Sequence, residues 1–302
     1  MLWLIITISA YFLFAAVNIV DKYLLGGRIP SPKVYAFYLG VLGIVILALV
    51  PFGFLVIPSL PIIFLGLTAG AFHILGVFVF FKGLKSFEAS RIMPAMGALI
   101  PVFTFGFFLI FGGQNGVLRT TDIIAFILLL FGTILITWEK EKNVTFSSIK
   151  IAILAAFLFA LYFISVKFVY FYQPFISGLI WTRVGAFLIA LIFLFSKEVQ
   201  EDVFKGPKII QKKTWAIFFP NQAASSGAFI LQNWAVALAP LAYLGIINAL
   251  EGIKYVFVLI FATFLSLKFP KILKEEISKE VLLQKICAIL LIGAGLVLIA
   301  LK

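Results

Sequence analysis

The amino-acid sequence predicts an all-α polytopic membrane protein of ten transmembrane helices, built as two inverted five-helix repeats. Three observations carry that expectation: composition, the distribution of basic residues, and an internal repeat. Of 302 residues, 64% are hydrophobic and 12% charged, with mean hydropathy +1.19. Soluble domains carry about 25% charged residues. Apolar runs of about 18 or more residues recur, each able to cross a ~30 Å hydrocarbon layer at about 1.5 Å per residue. The runs are continuous rather than alternating, which argues against lipid-facing strands.

Loop charges, Gly and Pro divide these runs into ten spans, at 2–21, 34–56, 61–81, 89–111, 121–138, 150–170, 175–196, 214–236, 241–267 and 282–301. The longest connections, 197–213 and 268–281, read as loops. No signal peptide is expected, because no basic residue precedes the first run and no small-residue cleavage pattern follows it. Nineteen of the 24 Lys and Arg residues fall in loops or helix ends after spans 1, 3, 5, 7 and 9. The positive-inside rule places those loops in the cytoplasm and both termini outside, in the cytoplasmic membrane. The net charge of +12 is thereby explained without nucleic acid as a partner. The single Cys287 cannot form an intrachain disulfide.

The linker 139-EKEKNVTFSSIK-150 divides the chain, giving a first repeat at 1–138, a cytoplasmic linker at 139–149 and a second repeat at 150–302. Span 1, 10-AYFLFAAVNIVDKYL-24, matches span 6, 155-AAFLFALYFISVKFV-169, at seven of fifteen positions, Lys22 aligning with Lys167. Span 3 (76-GVF-78) pairs with span 8 (227-GAF-229), and 127-ILLLFGTILI-136 with 290-LLIGAGLVLI-299. Recurrence in the same order marks a duplication. Five spans per half force the copies to run in opposite directions. Such inverted repeats characterise secondary transporters, whose substrate site lies near midplane between the repeats.

With these features the chain resembles the EamA-type members of the drug/metabolite transporter superfamily. The stretch 83-GLKSFEASRIMPAMGALIPVFTFGFFLIFG-112 is similar to that family's third and fourth spans, with Ala-Ser before the span and Pro101 near its middle. Gly132 and Gly295 also fit. Where the family often has Glu after the fourth span, 112-GGQNG-116 stands here, so that residue's role is not carried over. The resemblance implies transport of a small metabolite, often outward, by rocking around a cavity lined by spans 1, 3, 4, 6, 8 and 9.

Ionisable groups inside apolar spans are costly, about 2.5–3.5 kcal/mol each on insertion scales, and mark candidate sites. Glu251 and Lys254 lie in 247-INALEGIKYVF-257, roughly 15–20 Å into span 9 and on one face at i, i+3. Either they line a wet cavity, Glu251 taking a cation or a coupling proton and Lys254 an anion, or they are a neutralised pair without a role. The aligned positions in the first half are Ile100 and Phe103, so the fold itself requires no charge there. Arg183 either pairs with Glu251 or a substrate anion, or extends to the nearer surface. His73, the only histidine, serves as an interhelical hydrogen bonder or as a relay or binding group. Metal ligation is not expected, because no second His or Cys sits at ligand spacing.

Span 8, 220-PNQAASSGAFILQNWAV-236, places Gln222, Ser226 and Asn233 on one stripe, which lines a pathway or packs between helices. Asn18 and Asn248 are similar candidates nearer midplane. Asp21, Lys22, Glu88 and Arg91 read as interfacial rather than as site residues.

A secondary transporter is therefore expected. Its partners are a small-molecule substrate and the lipid bilayer; a coupling proton, and monomer or homodimer, stay open. A carrier of lipid-linked substrates remains a rival. A less favoured alternative is an integral membrane lipid-modifying enzyme, which would need a nucleophile, paired acids or a metal cluster; the chain has no Asp-rich motif, one His and one Cys. No P-loop and no cofactor motif is found.

Overall fold

The computed structural model describes residues 2–25, 31–86, 89–111, 118–138, 146–204, 212–268 and 279–301. Among them the chain is all-helical, with no strand. Helices run in the order α1 (Leu2–Leu25), α2 (Pro32–Gly43), α3 (Leu60–Ser86), α4 (Ala89–Phe111), α5 (Thr120–Thr137), α6 (Phe146–Tyr172) and α7 (Phe175–Phe193). They continue with α8 (Lys197–Phe204), α9 (Lys212–Leu238), α10 (Leu244–Ala249), α11 (Glu251–Lys268) and α12 (Lys279–Ala300). Helix is the form in which an apolar segment satisfies its own backbone N–H and C=O groups. Breaks fall where chemistry interrupts that pattern. Pro32 opens α2, Pro174 precedes α7, and Pro240 precedes the 3-10 turn Leu241–Tyr243. The 3-10 stretch Ile44–Phe52 that extends α2 ends on Gly53, whose φ of 81° is a left-handed cap.

Among the described residues, eight stretches are long and apolar enough to cross a membrane: in α1, α2 with its 3-10 extension, α3, α5, α6, α7, Leu241–Phe261 and α12. The apolar part of α4, Ala95–Phe111, is shorter. The 27-residue α9 is the least apolar of the long helices, because it carries the amide and serine stripe.

Each span read from the sequence falls on helix, with ends shifted by a few residues. Two expectations are corrected. The 197–213 connection is not all loop, since α8 occupies Lys197–Phe204; Ser31 donates to Glu198 at 2.5 Å and Lys33 to Ser196 at 3.3 Å, holding its start against α2. The apolar run 241–267 is not one helix but a 3-10 turn followed by α10 and α11, which meet at Leu250. The linker stretch 139–145, the 112–116 segment, Glu88 and the side chains of Lys22 and Arg91 lie outside the described residues.

The principal packed pairs are α3 with α6, α1 with α9, α5 with α12, α3 with α7, and α4 with α6. A large apolar cluster joins α4 and α6 through Ile92, Met96, Ile100, Ala155, Ala156 and Phe163. A second joins α5 and α12 through Ala125, Leu129, Ala288 and Ile292. Large apolar side chains such as Ile57, Ile110, Phe131 and Phe195 face outward, the surface an acyl-chain environment would cover.

Small residues set the closest approaches. A Cβ at Gly70 of α3 would strike the backbone carbonyl of Thr182, and one at Gly185 of α7 the carbonyl of Leu67. Main chain therefore meets main chain at that crossing. The α5–α12 crossing is reciprocal: a Cβ at Gly132 would lie 2.7 Å from Ile292, and one at Gly295 2.8 Å from Leu129. Gly227 has nothing within 4 Å of the same position. Gly70→Ala is accordingly expected to cost about 1–3 kcal/mol through overpacking. It lowers the melting temperature of detergent-purified protein, whereas Gly227→Ala leaves it unchanged or raised.

Candidate functional site

The helices form a cavity of about 240 Å³. Its walls come from α1, α2, α3 and α4 and from α6, α7, α9, α10 and α11. Eight of the nine sequence-predicted site residues reach it: Asn18, His73, Arg183, Gln222, Ser226, Asn248, Glu251 and Lys254. Beyond the expected helices, α2 and α7 contribute as well, through Tyr35, Leu39 and Gly43 and through Arg183.

The break at Leu250 explains how Glu251 comes to lie there. Leu250 has ψ of −7°, so the helix does not run straight through it. Nearby carbonyls find side-chain donors instead. Tyr11 donates its hydroxyl to Ile247 O at 2.8 Å, and Thr133 donates to Ala249 O at 3.1 Å. Glu251 then opens α11, where the positive end of the helix dipole favours a carboxylate. Lys254, one turn on, donates to Glu251 and completes an ion pair. Their side chains keep 12% and 19% of their exposure, so the pair faces the cavity rather than a dry core.

Arg183 does not pair with Glu251. Its guanidinium carbon stacks 3.6 Å from the centroid of the Phe229 ring. Gly43 of α2 makes room for it: a Cβ there would lie 3.3 Å from Arg183 Cδ. No hydrogen bond or ion pair to Arg183 is found among the described residues. Nor does it extend to a surface. His73 likewise makes no protein hydrogen bond among them; its ring lies 4.8 Å from that of Phe229, 4.9 Å from Tyr162 and 6.2 Å from Phe159.

Asn233 is a correction. Its side chain is buried away from the cavity. Its Oδ1 accepts from Tyr162 at 2.7 Å and Tyr170 at 2.9 Å, while its amide donates to Phe229 O at 3.0 Å. It joins α6 to α9. Lys167 works beside it, donating to Ala237 O at 2.9 Å and Ala239 O at 2.6 Å, the carbonyls freed where α9 ends. Asn248 lines the cavity and also donates to Thr104 of α4 at 3.0 Å.

Asp21 is the opposite correction, because it reaches the cavity. Its Oδ1 accepts from Tyr35 at 2.9 Å and Asn221 at 2.6 Å, and Gln222 donates to the Tyr35 oxygen at 2.9 Å. The tyrosines Tyr11, Tyr35, Tyr162 and Tyr255 were not singled out in the sequence. Tyr255 follows Glu251 by one turn and Tyr11 precedes Asn18 by two, a signal the sequence did carry.

No family model matches the chain, and no curated protein matches it. A solved crystal structure, described only as that of a protein, superimposes with TM-score 0.70 over 98% of this chain and 97% of its own, at 16% identity. At that identity the likeness shows the fold alone, an all-helical bundle.

These roles separate in stability measurements. Asn233→Ala strands two buried tyrosine hydroxyls and is expected to cost about 1–3 kcal/mol. Ser226→Ala, at an exposed cavity-lining position, stays within about 0.5 kcal/mol of the parent. Thermal unfolding of the two purified variants checks this.

Proposed function

We propose that the chain is a secondary transporter of the EamA type that moves a small organic metabolite across the cytoplasmic membrane, outward, by alternating access. On this reading ten spans form two inverted five-helix repeats, with both termini outside. One observation carries the proposal: helices on both sides of the 139–149 linker build one cavity, which brings together Asp21, Arg183, Glu251 and Lys254. A binding site between two repeats is what alternating access requires, since rocking one against the other changes which side the cavity opens to.

Three further features support it. The pairing of α1 with α9 mirrors that of α6 with α3, as two copies related by a twofold axis would pair. The glycines aligned by the repeat, Gly132 and Gly295, occupy reciprocal positions at the α5–α12 crossing. A helix interrupted beside the cavity, as α10–α11 is at Leu250, is a recurrent way for transporters to place carbonyls and helix ends near a substrate.

Glu251 is the coupling residue in this proposal. It is a carboxylate facing the cavity at a helix break, beside a lysine whose charge is set free when the carboxylate takes a proton. In proteoliposomes that hold the purified protein, an imposed proton gradient drives solute accumulation. Glu251→Gln reduces that accumulation to the level measured without a gradient, while solute exchange persists. Unchanged gradient-driven uptake in this variant refutes the coupling role, and absence of any flux across a metabolite panel refutes transport.

A further inference from the structure

We infer that the cavity takes a monovalent organic anion, a carboxylate on a flat apolar body, with the carboxylate on Arg183 and the body against the aromatic wall. The inference deepens the transport reading and rests on it for why the cavity admits a solute.

The charges in the cavity decide the ligand's charge. Four lining residues are ionic, Asp21, Arg183, Glu251 and Lys254. Glu251 and Lys254 neutralise each other. Asp21 is held by Tyr35 and Asn221. Arg183 alone has no acceptor among the described residues, so its N–H groups are left to cavity water or to a bound anion. Stacking on Phe229 occupies one face of its plane and leaves the N–H edge, whose fork matches a carboxylate in two parallel hydrogen bonds. Ser225 and Ser226 precede Phe229 by four and three residues on α9, on its side of the helix, and both line the cavity. They supply hydroxyl donors next to the same anion.

The walls decide the ligand's body. His73, Phe159, Tyr162 and Phe229 line the cavity with rings, the other three centroids lying 4.8–6.2 Å from that of His73, and Phe229 carries Arg183. Flat apolar groups pack on such rings edge-on or offset. A dianionic phosphate would need a second free cation, and Lys254 is engaged by Glu251. A zwitterion would need a free carboxylate near its ammonium. Glu251 is engaged, and Asp21 is held beside Tyr35, eight residues and about 12 Å along α2 from the Gly43 that flanks Arg183.

The test is equilibrium binding to the purified full chain, read independently of flux. The probes are 3-phenylpropanoate, phenylalanine, 2-phenylethylamine and phenyl phosphate. The carboxylate binds saturably, and each of the other three binds at least about tenfold more weakly. Arg183→Gln weakens 3-phenylpropanoate by at least about tenfold, and Arg183→Lys restores part of the loss by returning charge without the fork. Tighter binding of phenylalanine, the amine or the phosphate overturns the inference on the unaltered protein, whatever the variants do. So does unchanged affinity in a folded Arg183→Gln variant. Carboxylate binding without flux in liposomes upholds the inference and overturns transport. Flux of other solutes with no carboxylate binding does the reverse.

Discussion

A polar side chain on an apolar helix has to meet another polar group or water, because neither acyl chains nor a packed core will solvate it. That constraint organises this molecule. An unsatisfied buried amide or hydroxyl costs several kcal/mol, and an unpaired charge more. The amides of α9, the carboxylates of α1 and α11 and the basic groups of α7 and α11 therefore turn inward. Some satisfy one another and join helices: Asn233 with two tyrosines, Lys167 with the end of α9, Asn248 with Thr104. The others surround the cavity, which exists because their needs are not all met by protein.

Helix breaks and helix contacts cooperate in this arrangement. Interrupting the Leu241–Phe261 stretch at Leu250 would be unfavourable in an apolar setting if its carbonyls stayed bare. Tyr11 of α1 and Thr133 of α5 meet them. The break thus depends on neighbours, and those neighbours depend on close packing: a Cβ at Gly252 would strike the Thr133 hydroxyl. The position of Glu251 at the start of α11 is the outcome of several helices agreeing, not of its own segment.

This explains how much could be read in advance. Helix positions were legible, because continuous apolar runs punctuated by Gly, Pro and charge state them directly. So was the Glu251–Lys254 pairing, which follows from i, i+3 spacing on one helix face. The break just before them, at Leu250, was not. No proline or positive-φ glycine marks Leu250, and the donors that permit it lie far away in sequence. Asn233 shares a stripe with Gln222 and Ser226, yet Gln232 beside it reaches the cavity while Asn233 faces Tyr162 and Tyr170 of α6; helical periodicity names a face without saying which neighbour covers each position on it. Asp21 looked interfacial because Lys22 follows it; only folding brings Tyr35 and Asn221 to its carboxylate. Arg183 stood undecided between partners because the orientation of α7 is set by contacts with α2 and α3.

The glycine crossings have a mechanical consequence. Between α3 and α7, and between α2 and α7 where Gly40 abuts Ala190, no layer of side chains separates the backbones. Sliding of one helix over another needs such a layer, since it proceeds by small rearrangements of side chains. Segments α2, α3 and α7, drawn from both halves of the chain, therefore resist sliding over one another, so a rocking of the halves turns about this contact rather than shearing it. The α4–α6 contact differs in kind, because large side chains, among them Ile92, Met96, Ile100 and Phe163, fill it.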